Sequence, residues 1–579
     1  MNNERISLMI KEMKNIMSPM RDGVKLACNV YRPDDDKAYP AILLRTPYIK
    51  ENIDNELVYA NYRQMAMAGY NMIFQDVRGT GASEGVLDPT GAMEGEDGYD
   101  SIEWIAAQPW CDGNVGMQGL SYFGFTQMAA AELNPPHLKA ICPFQNSSVM
   151  PFSVSKAGTF GNFHLMWIYG RVLENLERWY PDKARQNEIK EKIEYYRENW
   201  NNEMLKLPLK DTPAARIDGV PQAEAFLELL DGMEDESFMI RARRPAKIEN
   251  INVPMLFLTG WFDGARDGTF DNWYRAQMGS FPKENRKLIV GPWVHGGRLH
   301  TDIDGRDYGT ANSGDGIGIQ ETIKRWFDYW LKGEENGIIN EAPVRLFMLG
   351  KNEWRDETEW PPAQAKETCF YIHGGDNKNN GGLNQVHPKD DPSRSSNNQP
   401  QSYIYDPNNP LPSAQKDKQG RTLFADVSEQ QSREDVLVYT SQALDKDLMV
   451  SGLVNFKLYA STDAPDTDFF CRLSDVDETG YAFPLLSGIV RCRFRNGRKA
   501  EMLEPNKVYP LTIELGNISN VFLKGHKIRI DISSSFYPEH DRNLNTADRI
   551  GYGTYCVKAK QTIFHDENYP SHLLLPVLE

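Results

Sequence analysis

Short uninterrupted apolar runs alternate with helix-like stretches through the N-terminal part of the chain, up to about residue 345. Runs of this kind are typical of strands that are buried on both faces of a parallel sheet. They lie at residues 41–44, 72–74, 115–120, 140–142, 254–259 and 287–290. The pattern predicts one α/β domain with a parallel sheet at its centre.

The apolar runs stop between about residues 150 and 247, where the sequence becomes polar and helical in character. Residues 182–201 and 222–231 are the clearest helical stretches of this part. Because buried strands resume at residue 253, the segment interrupts the sheet. We therefore predict a helical cap that is inserted into the α/β domain.

Beyond residue 345, alternation of apolar and polar positions replaces helical periodicity, as at residues 454–460 and 527–533. Strands with one apolar and one wet face, separated by Gly, Pro and Asn clusters, predict a β-sandwich of the jelly-roll type. The stretch 374–400 is rich in Asn, Gly, Ser and Pro, and this composition predicts a loop of the domain. The predicted domains are the first part of the α/β-hydrolase domain (1–149), the helical cap (150–247), the second part of the hydrolase domain (248–345) and the jelly roll (346–579).

Composition narrows the function classes. The net charge is −17, with 81 acidic against 64 basic residues, so nucleic acid is not expected as a partner. The seven cysteines include no C-x-x-C pair, which argues against a zinc or disulfide-redox site. No segment has the apolar length of a membrane span, and the first residues do not form a signal peptide. We expect a cytoplasmic protein without a membrane partner, and the sequence leaves homo-oligomerisation open.

Residues 112–124 are the most informative stretch, because an apolar strand turns there abruptly into a helix with Ser121 at the bend. Gly119 and Gly124 flank the serine where a Cβ atom would crowd the turn. This is the arrangement of a nucleophile elbow. The usual spacing is G-x-S-x-G, whereas here the second glycine comes one residue late, after Phe123. An ordinary strand-to-helix turn with a bystander serine is the alternative interpretation.

A serine nucleophile needs a histidine as base and a carboxylate that orients the histidine. In α/β hydrolases these follow the serine in the order acid, then histidine, each just after a strand. Asp263 follows the run at 254–259, and His295 follows the run at 287–290 in a Gly-Pro-Trp turn. We therefore predict Asp263 and His295 as the acid and the base. Three neighbours in the same loops are alternatives, namely Asp267, Asp271 and His300.

The oxyanion of a tetrahedral intermediate needs two hydrogen-bond donors, one of which is normally the backbone N–H after the nucleophile. Here that is the amide of Tyr122. The loop after the first buried strand usually supplies the second donor, and it carries Arg45-Thr-Pro-Tyr48, which Pro47 stiffens. On position alone, a packing role for Tyr48 is the simpler interpretation.

Longer sequence blocks extend over nearly the whole chain and are weakest in the cap. They are Met20-Arg-Asp-Gly-Val-Lys-Leu26, Arg45-Thr-Pro-Tyr48, Gln75-Asp-Val-Arg-Gly-Thr-Gly-Ala-Ser-Glu-Gly85, Gly119-Leu-Ser-Tyr-Phe-Gly124, Gly260-Trp-Phe-Asp263, Gly291-Pro-Trp-Val-His295, Tyr405-Asp-Pro407 and Ala464-Pro-Asp-Thr-Asp468. Together these blocks resemble the cocaine esterase-like (CocE/NonD) hydrolases, relatives of the X-Pro dipeptidyl-peptidases and the α-amino acid ester hydrolases.

The resemblance implies an α/β-hydrolase domain, an inserted cap and a jelly roll, with the late glycine as this family's own form of the elbow. It implies Ser121 as nucleophile, Asp263 as acid and His295 as base. It also implies an oxyanion hole made by the Tyr48 hydroxyl and the Tyr122 amide. No metal or organic cofactor is implied.

The resemblance leaves the substrate open, because family members cleave esters or amides of different acyl groups. The amino acid ester hydrolases carry acidic residues two and three places after the catalytic aspartate. This chain has Ala265 and Arg266 there, and Arg266 would repel an α-ammonium group if it faced the pocket. The chain is also short for an X-Pro dipeptidyl-peptidase. We therefore expect a carboxylesterase that acts on a small ester or amide, with an X-Pro dipeptidyl-peptidase or an amino acid ester hydrolase or acylase as the alternative.

Aromatic residues near the predicted triad are candidates for the substrate pocket, because flat apolar faces suit acyl groups. The candidates, including the nearby cation, are Trp167, Trp261, Phe262 and Arg266. A second alternative is a binding protein whose jelly roll recognises carbohydrate and whose hydrolase domain is inactive, because fold alone permits it.

Overall fold

The computed structural model describes residues 10–53, 61–88, 90–147, 158–161, 163–212, 217, 220–235, 247–297, 301–303, 305–375, 377–391, 399–413, 426–497 and 499–579. The first twelve strands are β1 (Ile10–Pro19), β2 (Lys25–Pro33), β3 (Tyr39–Thr46), β4 (Asn71–Asp76), β5 (Cys111–Leu120), β6 (Leu138–Phe144), β7 (Met255–Phe262), β8 (Arg286–Val294), β9 (Asp302–Ile303), β10 (Arg306–Asp307), β11 (Val344–Met348) and β12 (Glu353–Glu357).

Ten of these strands form one sheet in the order β1-β2-β4-β3-β5-β6-β7-β8-β11-β12. The pairs from β4 to β11 are parallel, and antiparallel strands close both ends. Every residue of β7 is buried, as is all but the first residue of β3. Apolar clusters cover both faces of the sheet and exclude water. Both faces of these strands are therefore apolar, which explains the continuous apolar runs in the sequence.

The helices are α1 (Tyr62–Met67), α2 (Glu94–Ala106), α3 (Tyr122–Ala131), α4 (Phe163–Glu174), α5 (Leu176–Trp179), α6 (Lys183–Glu203), α7 (Pro221–Gly232), α8 (Arg266–Met278), α9 (Ile319–Lys332) and α10 (Ser428–Gln431). Helices α4 to α7 form the predicted cap between β6 and β7. Asp182 caps α6 by accepting a hydrogen bond from the Arg185 amide at 2.9 Å. The cap's apolar side packs on Val77 and Tyr122 of the hydrolase domain.

The C-terminal part is an all-β domain of strands β13 (Lys366–His373), β14 (Gly381–Asn384), β15 (Gln401–Tyr405), β16 (Leu437–Thr440), β17 (Leu448–Thr462), β18 (Asp468–Val476), β19 (Ala482–Arg491), β20 (Tyr509–Phe522), β21 (Lys527–Ser533), β22 (Ala559–Phe564) and β23 (His572–Leu578). Their order is β15-β22-β17-β23-β13-β14-β16-β21-β18-β19, with β20 paired to β17. The stretch 374–400, predicted as a loop, contains β14. Its two glycines join the sheet through backbone hydrogen bonds, which apolar alternation does not reveal.

This architecture confirms the predicted fold class of an α/β-hydrolase domain with an inserted helical cap and a C-terminal jelly roll. The domain boundaries at residues 149, 247 and 345 stay predictions. No helix among the described residues is long and apolar enough to cross a membrane.

Candidate active site

Four of the predicted site residues leave the sheet at the same edge. Tyr48 comes two residues after β3, and Ser121, Asp263 and His295 come directly after β5, β7 and β8. These strands are parallel, so their carboxyl ends lie side by side. In open α/β sheets that edge is where ligands bind.

The backbone at Ser121 forms a tight elbow. Its φ of 61° and ψ of −119° are unusual for a residue with a side chain. Gly119 has a φ of 137°, and a Cβ atom there would lie 2.5 Å from the Phe123 Cβ. A Cβ on Gly124 would lie 2.6 Å from the Asn146 Cβ. Both glycines are therefore required by the turn, in agreement with the crowding inferred from the sequence.

The His295 ring is hydrogen-bonded to the Asp263 carboxylate, with 2.8 Å between Nδ1 and Oδ1. Asp263 is buried, and its oxygens also accept hydrogen bonds from the Thr259 hydroxyl at 3.1 Å and the Ala265 amide at 2.8 Å. Partial loss of hydration disfavours the charged imidazolium, although the side chain is 44% exposed, and the charge and hydrogen bond of Asp263 outweigh this and raise the pKa of His295 above its usual value. The arrangement holds the Nδ1–H toward the carboxylate and leaves Nε2 as the proton acceptor.

The alternative acids have other surroundings. Asp267 pairs with Arg266 at 2.7 Å and accepts a hydrogen bond from the Asn517 amide of the β domain. Asp271 lies one turn further along α8. His300 lies outside the described residues. The carboxylate that contacts His295 is that of Asp263.

Tyr48 and Trp167 meet at the edge of the cap. The Trp167 Nε1–H donates to the Tyr48 hydroxyl oxygen at 3.3 Å, which leaves the hydroxyl proton for another acceptor. The guanidinium of Arg171 lies over the Tyr48 ring, 4.3 Å from its centre. The π-electrons of the ring attract the cation to this face. The geometry suits a hydrogen-bond donor to an anion.

A buried ion pair fixes the loop that carries Tyr48. The Lys50 Nζ lies 2.8 Å from the Asp76 carboxylate, and the Lys50 amide donates to the same side chain at 2.7 Å. Neither side chain reaches solvent. Between Tyr48 and this pair, Ile49 has a φ of 60°, a strained value for a β-branched residue. The pair holds the loop in a shape that it would not adopt alone.

Tyr122 is fixed by its own buried side chain. Its ring stacks on Trp167 with the centres 5.6 Å apart, and its hydroxyl donates to Glu94 at 2.8 Å. Arg45 pairs with the other Glu94 oxygen at 2.7 Å, while burial raises the pKa of Glu94. As the first residue of α3, Tyr122 has a backbone N–H without an acceptor inside the helix. The backbone N–H of Tyr122 therefore lies directly after Ser121 on a residue whose side chain is fixed.

The remaining pocket candidates form a separate group that packs toward the β domain. Trp261 is buried and donates from Nε1 to the Phe347 carbonyl oxygen at 2.6 Å. Phe262 packs against Phe483, with ring centres 6.0 Å apart. Arg266 donates to the Trp261 carbonyl oxygen and pairs with Asp267. Of the four candidates, Trp167 is the one that contacts Tyr48 and Tyr122.

Sequence reasoning did not single out Asp76, Glu94 or Arg171 as site residues. A signal existed for Asp76, because it ends a fully buried strand at the same edge as the triad candidates. Glu94 and Arg171 lie on helices whose pairing partners are distant in sequence, Arg45 and Tyr48. Only the packed structure brings those pairs together.

Comparison with known proteins identifies the family. Residues 22–297 match the model of the X-Pro dipeptidyl-peptidase (S15) family, and residues 336–574 match the C-terminal non-catalytic domain of X-Pro dipeptidyl-peptidases. The chain is 32% identical to the cocaine esterase of Rhodococcus sp. (strain MB1 Bresler), over 98% of both chains. The chain belongs to the cocaine esterase-like (CocE/NonD) family of serine hydrolases. This confirms the resemblance that the sequence blocks indicated. The protein is therefore an enzyme.

Two solved structures share the fold of this CocE/NonD hydrolase. An aminopeptidase from a marine sediment archaeon, Thaumarchaeota archaeon, has a TM-score of 0.81 at 24% identity, covering 99% of this chain and 97% of its own. An α-amino acid ester hydrolase has a TM-score of 0.80 at 22% identity, covering 98% and 97%. Both extend the likeness over the hydrolase domain, the cap and the jelly roll.

Proposed function

We propose that the protein is a carboxylic ester hydrolase that works through an acyl-enzyme. The Ser121 Oγ bonds to the carbonyl carbon of the ester while Nε2 of His295 takes the hydroxyl proton. The tetrahedral intermediate then expels the alcohol, which receives that proton from His295. His295 then deprotonates a water molecule that attacks the acyl carbon, and it returns that proton to the Ser121 Oγ as the acid is released. Asp263 orients the ring and stabilises its charged form.

The observation that carries this proposal is the His295–Asp263 hydrogen bond of 2.8 Å at the edge where the Ser121 elbow ends. A buried carboxylate bonded to a histidine ring, in the chain order of an α/β hydrolase, prepares the base for a serine. The Tyr48 hydroxyl and the Tyr122 amide complete the proposal as the oxyanion hole. Tyr48 receives its hydrogen bond from Trp167, so its proton is free to be donated.

The substrate that we propose is a small ester without an ammonium group beside the scissile bond. The positions two and three after Asp263 hold Ala265 and Arg266, so no carboxylate stands there to bind such a group. Trp167 supplies a flat apolar wall next to Tyr48. X-Pro amides and amino acid esters are the alternative substrates, because the chain is similar to the X-Pro dipeptidyl-peptidase family and to an α-amino acid ester hydrolase.

Turnover of p-nitrophenyl acetate and butyrate by the whole chain tests the reaction. We expect a burst of p-nitrophenol, labelling of the wild type by a fluorophosphonate, and loss of both in Ser121→Ala. A matched control is Ser101→Ala, a buried serine of α2 that bonds to Gln75. Full labelling of Ser121→Ala would exclude Ser121 as nucleophile, and a complete lack of turnover in the wild type would contradict the proposed class of substrate.

A second assay compares aryl esters, amino acid esters, X-Pro anilides and amides of the same acyl group. We expect the aryl esters to have the highest kcat/KM. A decisive preference for amino acid esters would contradict the interpretation of Arg266, and a preference for X-Pro anilides would identify a peptidase.

We also propose a cytoplasmic location and a small-molecule substrate as the partner, without nucleic acid or membrane. All seven cysteines are free thiols, which supports a reducing compartment. The net charge of −17 disfavours binding to a polyanion. Fractionation of cells that express the tagged protein tests the location.

A further inference from the structure

The end of β6 contacts all three loops of the proposed triad. The Phe144 carbonyl oxygen accepts a hydrogen bond from the Ser121 amide at 3.0 Å. Two residues on, the Asn146 amide and carbonyl both bond to the Thr269 hydroxyl, on the helix that follows Asp263. Between these two residues lies Gln145, whose side chain reaches the third loop.

Gln145 holds the backbone on both sides of His295. Its Nε2 donates to the Val294 carbonyl oxygen at 2.8 Å, and its Oε1 accepts a hydrogen bond from the Gly296 amide at 2.9 Å. The residue is 1% exposed. The side-chain amide of Gln145 thus binds the Val294 carbonyl before His295 and the Gly296 amide after it.

The backbone of Gln145 is also specialised. Its φ of 41° lies in the left-handed region, which a non-glycine residue adopts at a cost. Its amide donates to the Leu258 carbonyl oxygen of β7 at 2.7 Å, which anchors the turn to the strand that leads to Asp263. The strained turn aims the side chain across the sheet edge toward β8. Backbone strain of this kind persists only where surrounding contacts hold it, and here the contacts with Leu258, Val294 and Gly296 do so.

We propose that Gln145 is a positioning residue that sets the place of the His295 ring relative to Ser121. The proposal rests on the proposed function. One segment holds the serine through Phe144 and the histidine loop through Gln145, so the two loops share a single rigid support. The Asp263 hydrogen bond fixes the tautomer of the ring, whereas the Gln145 clamp fixes the backbone from which the ring extends. Misplacement of a catalytic group by about 1 Å can cost about 10²-fold in rate.

Two variants separate positioning from general stability. Gln145→Leu keeps the approximate size and removes both hydrogen bonds. Gln145→Glu keeps the shape but replaces the donor with an oxygen that repels the Val294 carbonyl, and it brings a negative charge next to His295. The control is Gln431→Leu, a buried glutamine of the β domain that also uses both amide atoms, with Asp531 and Arg529.

The experiment measures kcat, KM, the pH profile of kcat/KM, the fluorophosphonate labelling rate and the melting temperature of each whole-chain variant. For Gln145→Leu we expect kcat and the labelling rate to fall together by about 10- to 10²-fold, with KM within about threefold. For Gln145→Glu the acidic limb of the pH profile should move to higher pH, because a nearby negative charge favours the imidazolium. Gln431→Leu should lower the melting temperature without changing these kinetic values.

Wild-type kcat and labelling rate in folded Gln145→Leu would overturn the inference, as would a loss of rate no larger than that of Gln431→Leu. The Ser121→Ala variant in the same assay distinguishes a failure of the proposed function from a failure of the role proposed for Gln145. If Ser121→Ala retains full turnover, the proposed function fails, whereas a dead Ser121→Ala beside a normal Gln145→Leu removes only the role of Gln145.

Discussion

At the scale of single residues, Tyr48 shows how neighbours define a role. The same side chain could pack as an ordinary aromatic. Trp167 donates to its oxygen, which leaves the hydroxyl proton for another acceptor, and the Arg171 guanidinium lies over the face of its ring. These contacts support the proposed role of Tyr48 as an oxyanion donor over a packing role alone.

Replacement of Tyr48 by Phe tests this role. We expect Tyr48→Phe to lower kcat by about 10²- to 10³-fold, the usual cost of one oxyanion donor, and to leave KM nearly unchanged. Steady-state hydrolysis of p-nitrophenyl butyrate measures both. Tyr439→Phe, at a buried tyrosine of the β domain, should have no effect on kcat. A Tyr48→Phe enzyme with wild-type kcat would remove Tyr48 from the oxyanion hole.

The Asp263 charge predicts the pH dependence of activity. In the proposed mechanism the neutral His295 ring is the base, and the charge and hydrogen bond of Asp263 raise its pKa against the opposing effect of partial desolvation. Activity should therefore be lost as the pH falls through a midpoint above the ordinary value for histidine, about 6.5. Asp263→Asn removes the negative charge that raises this pKa, so we expect that midpoint to move to lower pH and kcat to fall by about 10⁴-fold. A pH profile of kcat/KM checks this, and an unmoved midpoint would contradict the assigned acid.

At the scale of elements, the strands were predictable and their loops only in part. Strand β7 reads as an apolar run because all of it is buried, and the positions of Asp263 and His295 after their strands follow from the same runs. The Lys50–Asp76 pair was not predictable, because it depends on the register that sets Thr46 of β3 beside Asp76 of β4. Likewise, the sequence places Arg266 near the acid but does not show that it pairs with Asp267.

The elbow itself predicts an element-scale effect. Gly119→Ala would set a Cβ atom 2.5 Å from the Phe123 Cβ at a φ of 137°, so the turn must shift. We expect a loss of more than about 1 kcal/mol in stability and a strong loss of fluorophosphonate labelling. Gly170→Ala is the matched control, since a Cβ there meets nothing within 4 Å on helix α4, and it should stabilise the protein by about 0.5–1 kcal/mol. Thermal unfolding and labelling compare the two, and equal behaviour would contradict the strained elbow.

At the scale of the whole molecule, buried arginines connect the β domain with the cap. Arg493 donates from Nε to Asp466 at 2.7 Å and from Nη1 to Glu234, just after α7, at 2.7 Å. Arg491 pairs with Asp468 and Asp541. The amide of Asp541 in turn bonds to the Phe160 carbonyl oxygen at the start of the cap. The jelly roll thus contacts the cap both at its start, at Phe160, and near its end, at Glu234.

The Arg493 pair allows this support to be measured. Arg493→Met removes the cation but leaves the Asp466 carboxylate, which is 0% exposed. A buried charge without its partner costs about 3–5 kcal/mol, whereas exchanging both partners for apolar residues costs far less. We therefore expect Arg493→Met to unfold at a clearly lower temperature and its cap to be cut faster by protease, and the added change Asp466→Leu to restore part of the loss.

An exposed pair serves as the control, because charge removal alone is then inexpensive. The side chains of Arg345 and Asp356 are 48% and 64% exposed, so Arg345→Met should change stability by less than about 1 kcal/mol. Burial already raises the pKa of Asp466, and without Arg493 its neutral form is favoured further. A neutral carboxyl carries no unpaired charge, so the deficit of Arg493→Met relative to the wild type should shrink as the pH is lowered. If the deficit is instead as small as that of Arg345→Met, or independent of pH, the cap does not depend on this pair and the connection must reside in Arg491 and Asp541.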